Sequence, residues 1–292
     1  VTRLVLERLH GLGNDFLVLV DATGDLRLGP REAVALCDRH RGVGADGLLL
    51  AGPPRRGGDV AMTLWNADGS VAETSGNGLR CLVLALVDAG ALPGPAVLVE
   101  TAVGLRRGEV LRRDAAGGAE VEVELGQALL GEAEELAWPG WSARRVSTGN
   151  PHLVVLGPSL ADRVLEDDAA PLSRAVDGGR NVELVAPRPG GGLEMLVYER
   201  GVGATLACGS GSVAAAAAAR AAGLAGDEVR VANPGGELRV RLSGPAEAPH
   251  AFLTGPARHV ARVEADLDAC LAGDLLEGGA AASGEPAGTG AP

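Results

Sequence analysis

Along most of the chain, apolar residues come in short runs that alternate with polar ones or are bounded by Gly, Asn and Pro, the pattern of half-buried strands. Strands are expected over residues 4–9, 16–20, 60–65, 97–100, 121–125, 153–156, 194–198, 238–242 and 251–254. Apolar residues spaced three and four apart predict helices over 31–40, 77–89, 210–222 and 260–271. Strands outnumber helices without strict βαβ alternation, so the expected class is α+β rather than a doubly wound sheet. At about 150 residues per domain, 292 residues allow roughly two. Residues 278–292 offer nothing to bury and are expected to form a disordered tail.

The pattern repeats. NADGSVAETSGNG, from Asn66, and ERGVGATLACGSG, from Glu199, each place a polar residue nine positions before a Ser or Cys, then Gly-x-Gly and an apolar helix, at an offset of 133. Gly13-Asn14 and Gly149-Asn150 each precede a strand at offset 136, and residues 101–105 align loosely with 233–236 at offset 132. Coincident offsets imply two like halves, residues 1–127 and 128–277, whose last helix is expected to pack on the first half. Their seam is the expected place for a small-ligand site.

Each Gly-x-Gly opens a helix, so the first N–H groups after Ser75 and Cys208 form an anion site suited to a carboxylate. The same field is expected to lower the pKa of a cysteine placed there. Two such helix starts facing one another would grip one carboxylate and set Ser75 and Cys208 on opposite faces of its α-carbon. That arrangement suits removal of an α-proton from one face and its return to the other. Clamping the carboxylate in a water-poor pocket would stabilise the carbanion.

Composition narrows the chemistry further. All 26 basic residues are Arg, and the absence of Lys excludes a pyridoxal Schiff base, a P-loop lysine and every lysine general base. A net charge of −12 disfavours nucleic acid and favours a small ligand. No apolar run reaches a membrane span, and Arg3, Glu7 and Arg8 within the first strand are unlike a signal peptide, so a cytoplasmic protein without a membrane partner is expected. Cys37, Cys81, Cys208 and Cys270 show neither CxxC nor Cys/His spacing, so neither zinc nor a disulfide framework is indicated. Cys37, Cys81 and Cys270 read as small buried hydrophobes.

Together these residues resemble the diaminopimelate epimerase family of pyridoxal-independent two-base epimerases. The likeness covers about residues 4–265 and rests on HGLGNDF (from His10), RGVGADG (from Arg41), NADGSVAE (from Asn66), SGNGLRC (from Ser75), GNPH (from Gly149), NVELV (from Asn181), ERGVG (from Glu199), ACGSG (from Ala207) and TGPA (from Thr254). The resemblance implies two similar domains related by pseudo-twofold symmetry, each a mixed sheet around a central helix, with the site between them. It also implies a homodimer, no cofactor and no metal, and the interconversion of LL- and meso-diaminopimelate for lysine and peptidoglycan synthesis. By resemblance Cys208 is a catalytic acid/base, while Gly76, Asn77, Gly209 and Ser210 bind the reacting carboxylate. Asn14, Asn66, Asn150, Asn181, Glu199 and Arg200 match positions that hold the amino groups and distal carboxylate, the Arg200 fork selecting a diacid.

One departure bears on catalysis: Ser75 stands where the family usually has its first catalytic cysteine. A hydroxyl is a far poorer base than a thiol, so proton abstraction at position 75 is expected to be impaired unless another group assists, and His152 is the nearest motif residue for that role. Serine is also a good helix N-cap. Two other readings of the same residues are an enzyme using Cys208 as sole base, whether a lyase, a dehydratase or an epimerase of another amino acid, and a catalytically impaired carboxylate-binding homologue.

Overall fold

Apart from a few buried polar residues near their starts, two helices of this chain are apolar all round. The helix at Gly76–Asp88 is buried from Gly76 through Leu86, and the helix at Gly209–Ala221 from Gly209 through Ala219. A helix without a polar face has to be surrounded, and the rest of the molecule is a sheet that surrounds both.

The computed structural model describes residues 2–73, 75–91 and 94–272. The first half runs β1 (Arg3–Gly11), β2 (Asn14–Val20), α1 (Pro30–Cys37), β3 (Gly47–Gly52), β4 (Val60–Asn66), α2 (Gly76–Asp88), β5 (Ala96–Thr101), β6 (Gly104–Arg113) and β7 (Gly118–Gln127). The second runs β8 (Leu129–Glu134), β9 (Ser142–Ser147), β10 (Pro151–Leu156), α3 (Leu165–Arg174), β11 (Asn181–Pro187), β12 (Leu193–Glu199), β13 (Gly203–Thr205), α4 (Gly209–Ala221), β14 (Glu228–Asn233), β15 (Gly236–Ser243), β16 (His250–Asp266) and α5 (Leu267–Ala272). The class is α+β.

Sheet order is β1-β2-β3-β4-β5-β6-β7-β16-β15-β14-β12-β11-β10-β9-β8, with β13 beside β12. That path reads alike from either side of the β7–β16 pair. The parallel pairs β2–β3 and β4–β5 of the first half recur as β10–β11 and β12–β14 in the second. Strand β16 serves both halves. Its first part, His250 to Arg258, pairs with β7, and the remainder, to Asp266, pairs with β1, closing the first half around α2. In the second half the N–H groups of Ala128 and Leu130 donate to the carbonyls of Pro249 and Glu247 at 2.9 and 2.8 Å.

Local pattern and observed element differ at instructive places. The helix expected over 260–271 is strand as far as Asp266, and only Leu267–Ala272 is helical. Ala261, Val263 and Ala265 alternate as well as they space helically, and they pair with Arg8, Leu6 and Leu4 of β1, so long-range pairing decides the outcome. Strands β3 and β11 lie between two neighbours and are almost continuously buried, so they lack the alternation that marks a half-exposed strand. Helix α3 carries Pro171 and opens on Glu166, Asp167 and Asp168, acids placed well for a helix N-terminus. The tail expected over 278–292 lies outside the described residues. Helix α5 packs against α1, in the first half.

Candidate active site

Each half feeds its central helix through an extended residue that caps it. Ser75 precedes α2 with φ −151°, and its Oγ accepts from the Gly78 N–H at 3.0 Å. Cys208 precedes α4 with φ −120°, and its Sγ accepts from the Gly211 N–H at 3.3 Å. The caps satisfy the third N–H of each helix. Among the described residues, the N–H groups of Gly76, Asn77, Gly209 and Ser210 have no acceptor.

The two helix starts meet head on. A Cβ added to Gly76 would lie 3.3 Å from the Gly209 Cα, and one added to Gly209 would lie 3.1 Å from the Gly76 Cα. The Leu253 side chain of β16 fills the remaining space, 2.7 and 2.9 Å from those same points. Only glycine allows this approach. The Asn77 amide ties the seam together, donating to the Asn14 Oδ1 at 3.2 Å and to the Ala207 carbonyl, one residue before Cys208, at 3.0 Å. Asn14 in turn donates to Asp46 at 2.9 Å.

The second half surrounds Cys208 with acid groups. Its thiol is buried, the Ser210 hydroxyl lies 3.4 Å from its sulfur, and the charges of Glu199 and Glu183 act on it. Half-buried Glu199 accepts from the Thr205 hydroxyl at 2.5 Å, and desolvation raises its pKa. Glu183, fully buried on β11, bonds the Nδ1 of buried His152 at 2.7 Å, and its other oxygen, Oε2, has no partner among the described residues. The His152 Nε2 meets the Asn150 Oδ1 at 2.9 Å, and the Thr148 hydroxyl donates to that oxygen at 3.0 Å. Asn181, on the β11 end beside His152, accepts the Arg200 backbone N–H at 2.9 Å.

This environment corrects one expectation. The helix start was expected to lower the pKa of Cys208, yet burial first, then the charges of Glu199 and Glu183, push it well above the ordinary thiol value. The Ser210 and Gly211 hydrogen bonds work in the expected direction but are outweighed. In the unliganded protein Cys208 is a thiol.

The remaining expected residues divide. Arg200 and Glu199 are not partners of one another: the Arg200 guanidinium lies 3.7 Å from Glu73, across the seam. Asn66, exposed at the end of β4, donates to the Ser70 hydroxyl at 2.9 Å and bonds none of the other site residues. His152 bonds Glu183 and Asn150 rather than Ser75. Two buried charged residues lay inside quoted motifs without being singled out: Glu183 in the apolar run NVELV and Arg80 in the apolar helix that follows SGNG. A lone charge within an apolar run was the signal available for both.

Among the described residues no three His, Cys, Asp or Glu side chains are grouped to hold a metal ion. Nor is any described helix long and apolar enough to cross a membrane.

The diaminopimelate epimerase family model matches residues 8–130 and 144–260. The chain is 38% identical over 280 residues to a diaminopimelate epimerase of Synechococcus sp. (strain JA-2-3B'a(2-13)), spanning 88% of this chain and 96% of that protein. It is 37% identical over 286 residues to the one from Mycolicibacterium smegmatis, covering 90% and 97% respectively. Among solved structures, a hydroxyproline epimerase from Agrobacterium vitis superposes with a TM-score of 0.69 at 20% identity, covering 91% of this chain and 93% of that one. A Bacillus anthracis phenazine-biosynthesis protein of the PhzF family gives 0.68 at 14%, covering 90% and 99%. At those identities the structures speak for the fold alone.

Proposed function

The chain belongs to the diaminopimelate epimerase family, and we propose that it interconverts LL- and meso-2,6-diaminopimelate by proton transfer at one α-carbon without a cofactor. The observation that carries this reading is the head-on meeting of Gly76 and Gly209, which brings the unused N–H groups of two helix starts to one seam beside Ser75 and Cys208.

Those four N–H groups hold the reacting carboxylate and stabilise the charge that spreads into it as the α-proton leaves. Cys208 works on one face. Its own proton first moves to Glu199, the carboxylate whose charge acts on the thiol and whose raised pKa suits a temporary proton carrier. The thiolate then takes the α-hydrogen, and the Ser75 hydroxyl gives its proton to the opposite face. The resulting alkoxide sits at a helix N-terminus, accepts from the Gly78 N–H and regains a proton from solvent, to which Glu199 gives up the one it took from Cys208. In the reverse sense Ser75 has to act as base, the slower task for a hydroxyl.

Asn14, Asn66, Asn150, Asn181, Glu199 and Arg200 together hold the amino groups and the distal carboxylate, the Arg200 fork selecting a diacid over an ordinary amino acid. The reading also takes the enzyme to be a cytoplasmic homodimer with neither nucleic-acid nor membrane partner, serving lysine and peptidoglycan-precursor synthesis. Family membership and the net charge of −12 support it.

The test is incubation of LL- and meso-diaminopimelate separately in D2O, following α-deuterium, stereochemistry and loss of ammonia or water. Inversion with solvent deuterium is expected. Exchange without inversion would mean that Cys208 is the one working base, and elimination would replace the epimerase reading with a lyase. Cys208→Ala should abolish exchange on the face it serves, and unaltered exchange would end the mechanism.

A further inference from the structure

Arg80 is fully buried in α2, five residues after Ser75, and among the described residues no carboxylate pairs with it. Its guanidinium donates to three neutral oxygens: the Gly76 carbonyl at 3.1 Å, the Asn77 Oδ1 at 2.8 Å and the Pro256 carbonyl at 3.3 Å. Two glycines from distant parts of the sequence make room for it. A Cβ on Gly11 would lie 2.9 Å from the Arg80 Nη2, and one on Gly255 would lie 3.3 Å from its Nε. Thus the HGLGNDF, SGNGLRC and TGPA blocks converge on a single side chain. At offset 133 the equivalent position in α4 is Val213, so the charge belongs to one half only.

A charge buried against neutral acceptors is costly, and desolvation pulls the Arg80 pKa down to about 10. Two features make that cost useful. Accepting from Arg80 fixes which way the Asn77 amide points, leaving its Nδ2 to donate to Asn14 and to the Ala207 carbonyl beside Cys208. The charge also lies within the first two turns of the helix whose N–H groups face the seam, where an anion is the counter-ion it lacks.

We propose that Arg80 is a positioning residue of the carboxylate clamp: it orients Asn77 so that the Ser75 and Cys208 loops stay in register, and its unpaired charge is balanced by the bound carboxylate. This rests on reading the facing helix starts as that clamp. Its role is distinct from that of Arg200, because Arg80 is sealed in the core and acts through Asn77 and through its field.

The test is calorimetric titration of wild type, Arg80→Met and Arg80→Lys with meso-diaminopimelate, with its diamide, and with glutarate as a plain dicarboxylate. For Arg80→Met, a loss of ~30-fold is expected for the two acids and less than about threefold for the diamide, a field effect of ordinary size for a charge in a protein interior. Arg80→Lys keeps the charge and should recover most of the affinity for the acids. Equal losses for acid and amide would show a merely structural role and overturn the proposal, as would unchanged affinity in Arg80→Met or a wild type that binds neither acid. A wild type that binds glutarate but not diaminopimelate, with the Arg80→Met loss intact, would support this proposal while sinking the substrate assignment.

Discussion

Restoring a thiol at position 75 is the most direct perturbation of the catalytic proposal, and the molecule contains its own control for it. Cys208 occupies the equivalent N-cap of α4, where its sulfur sits 3.3 Å from the third N–H, against 3.0 Å for the Ser75 oxygen in α2. A sulfur is therefore accommodated in this backbone with a shift of a few tenths of an ångström. Ser75→Cys exchanges a good oxygen cap for a weaker one, a loss of about 0.5–1 kcal/mol in stability. Against that, a positioned acid/base of suitable pKa is worth roughly 10²- to 10⁴-fold, and a hydroxyl realises little of it when it must act as a base. Inversion should rise by ~10²-fold or more, equally from LL- and from meso-diaminopimelate, since a catalyst cannot move the equilibrium. In the parent protein one epimer should exchange its α-proton with retention faster than it inverts, and in the variant the two rates should converge. The assay is α-deuterium incorporation with chiral analysis at early times. A second readout tests proximity itself: the introduced thiol and Cys208 should form a disulfide under mild oxidation, abolishing activity until dithiothreitol restores it, which requires Cα atoms within about 7 Å. A variant with unchanged rates and no sensitivity to oxidation would refute the placement of residue 75 in the reaction.

Other consequences are equally open to measurement. Gly209→Ala places a methyl group 2.9 Å from the Leu253 Cδ2 and 3.1 Å from the Gly76 Cα, so a loss of about 1–3 kcal/mol in stability is expected. Turnover should fall by ~10²-fold as the helix starts separate, and full activity would show that the close approach is dispensable. Cys37 and Cys81 are pushed up to about 12 by burial, so above pH 9 the unfolded chain releases thiol protons that the native state keeps, and stability falls as pH rises. Toward pH 10 each raised thiol contributes a slope approaching ~1.4 kcal/mol per pH unit, offset in part by Arg80, whose own value of about 10 falls in the same range. With no lysine to titrate there, urea midpoints across that range read the sum of these thiols, Cys208 included, less the Arg80 contribution, and a profile that rises with pH would contradict the reasoning. Finally, Glu73 competes with a distal carboxylate for Arg200 at 3.7 Å, an exposed pair worth at most about 1 kcal/mol, so Glu73→Gln should lower KM for diaminopimelate a few-fold at low salt and leave kcat unchanged. An unmoved KM would remove Glu73 from substrate selection.

Much of the architecture was legible because it is written twice. The offsets between Asn66 and Glu199, and between Asn14 and Asn150, reappear as a strand order that mirrors itself about β7–β16. Helices α1, α2 and α4 begin within one residue of their expected starts, because caps and helical spacing are local properties of the chain. What failed was settled by distant partners. Residues 260–266 suit helix or strand in isolation, and the open edge of β1 selected strand. The direction of the Cys208 pKa shift was misjudged for a similar reason. The helix field is a local term, visible beside Gly-x-Gly, whereas Glu199 and Glu183 arrive from β12 and β11, nine and 25 residues upstream.

The halves are alike in backbone but not in buried charge, and that difference bears on how a serine can stand in one of two matched positions. In β10–β11, His152 pairs with Asn181 and Val154 with Glu183, and the equivalent pairs in β2–β3 are Phe16 with Gly47 and Val18 with Leu49. Phe16 and Leu49 therefore fill, beneath the first half, the places that His152 and Glu183 take beneath the second. Conversely the first half buries Arg80 in the helix that Ser75 caps, where the second half has Val213. The buried charge about the seam is consequently uneven: a cation lies in the first turns of the helix that Ser75 caps, bonded to Gly76 and Asn77, and carboxylates act on the sulfur. Negative charge forming at Ser75 is favoured by its surroundings, and negative charge at Cys208 is resisted until Glu199 takes up a proton. Such a field offsets part of the intrinsic gap between hydroxyl and thiol, so the substitution at position 75 weakens the pair by less than the chemistry of the two side chains alone would require.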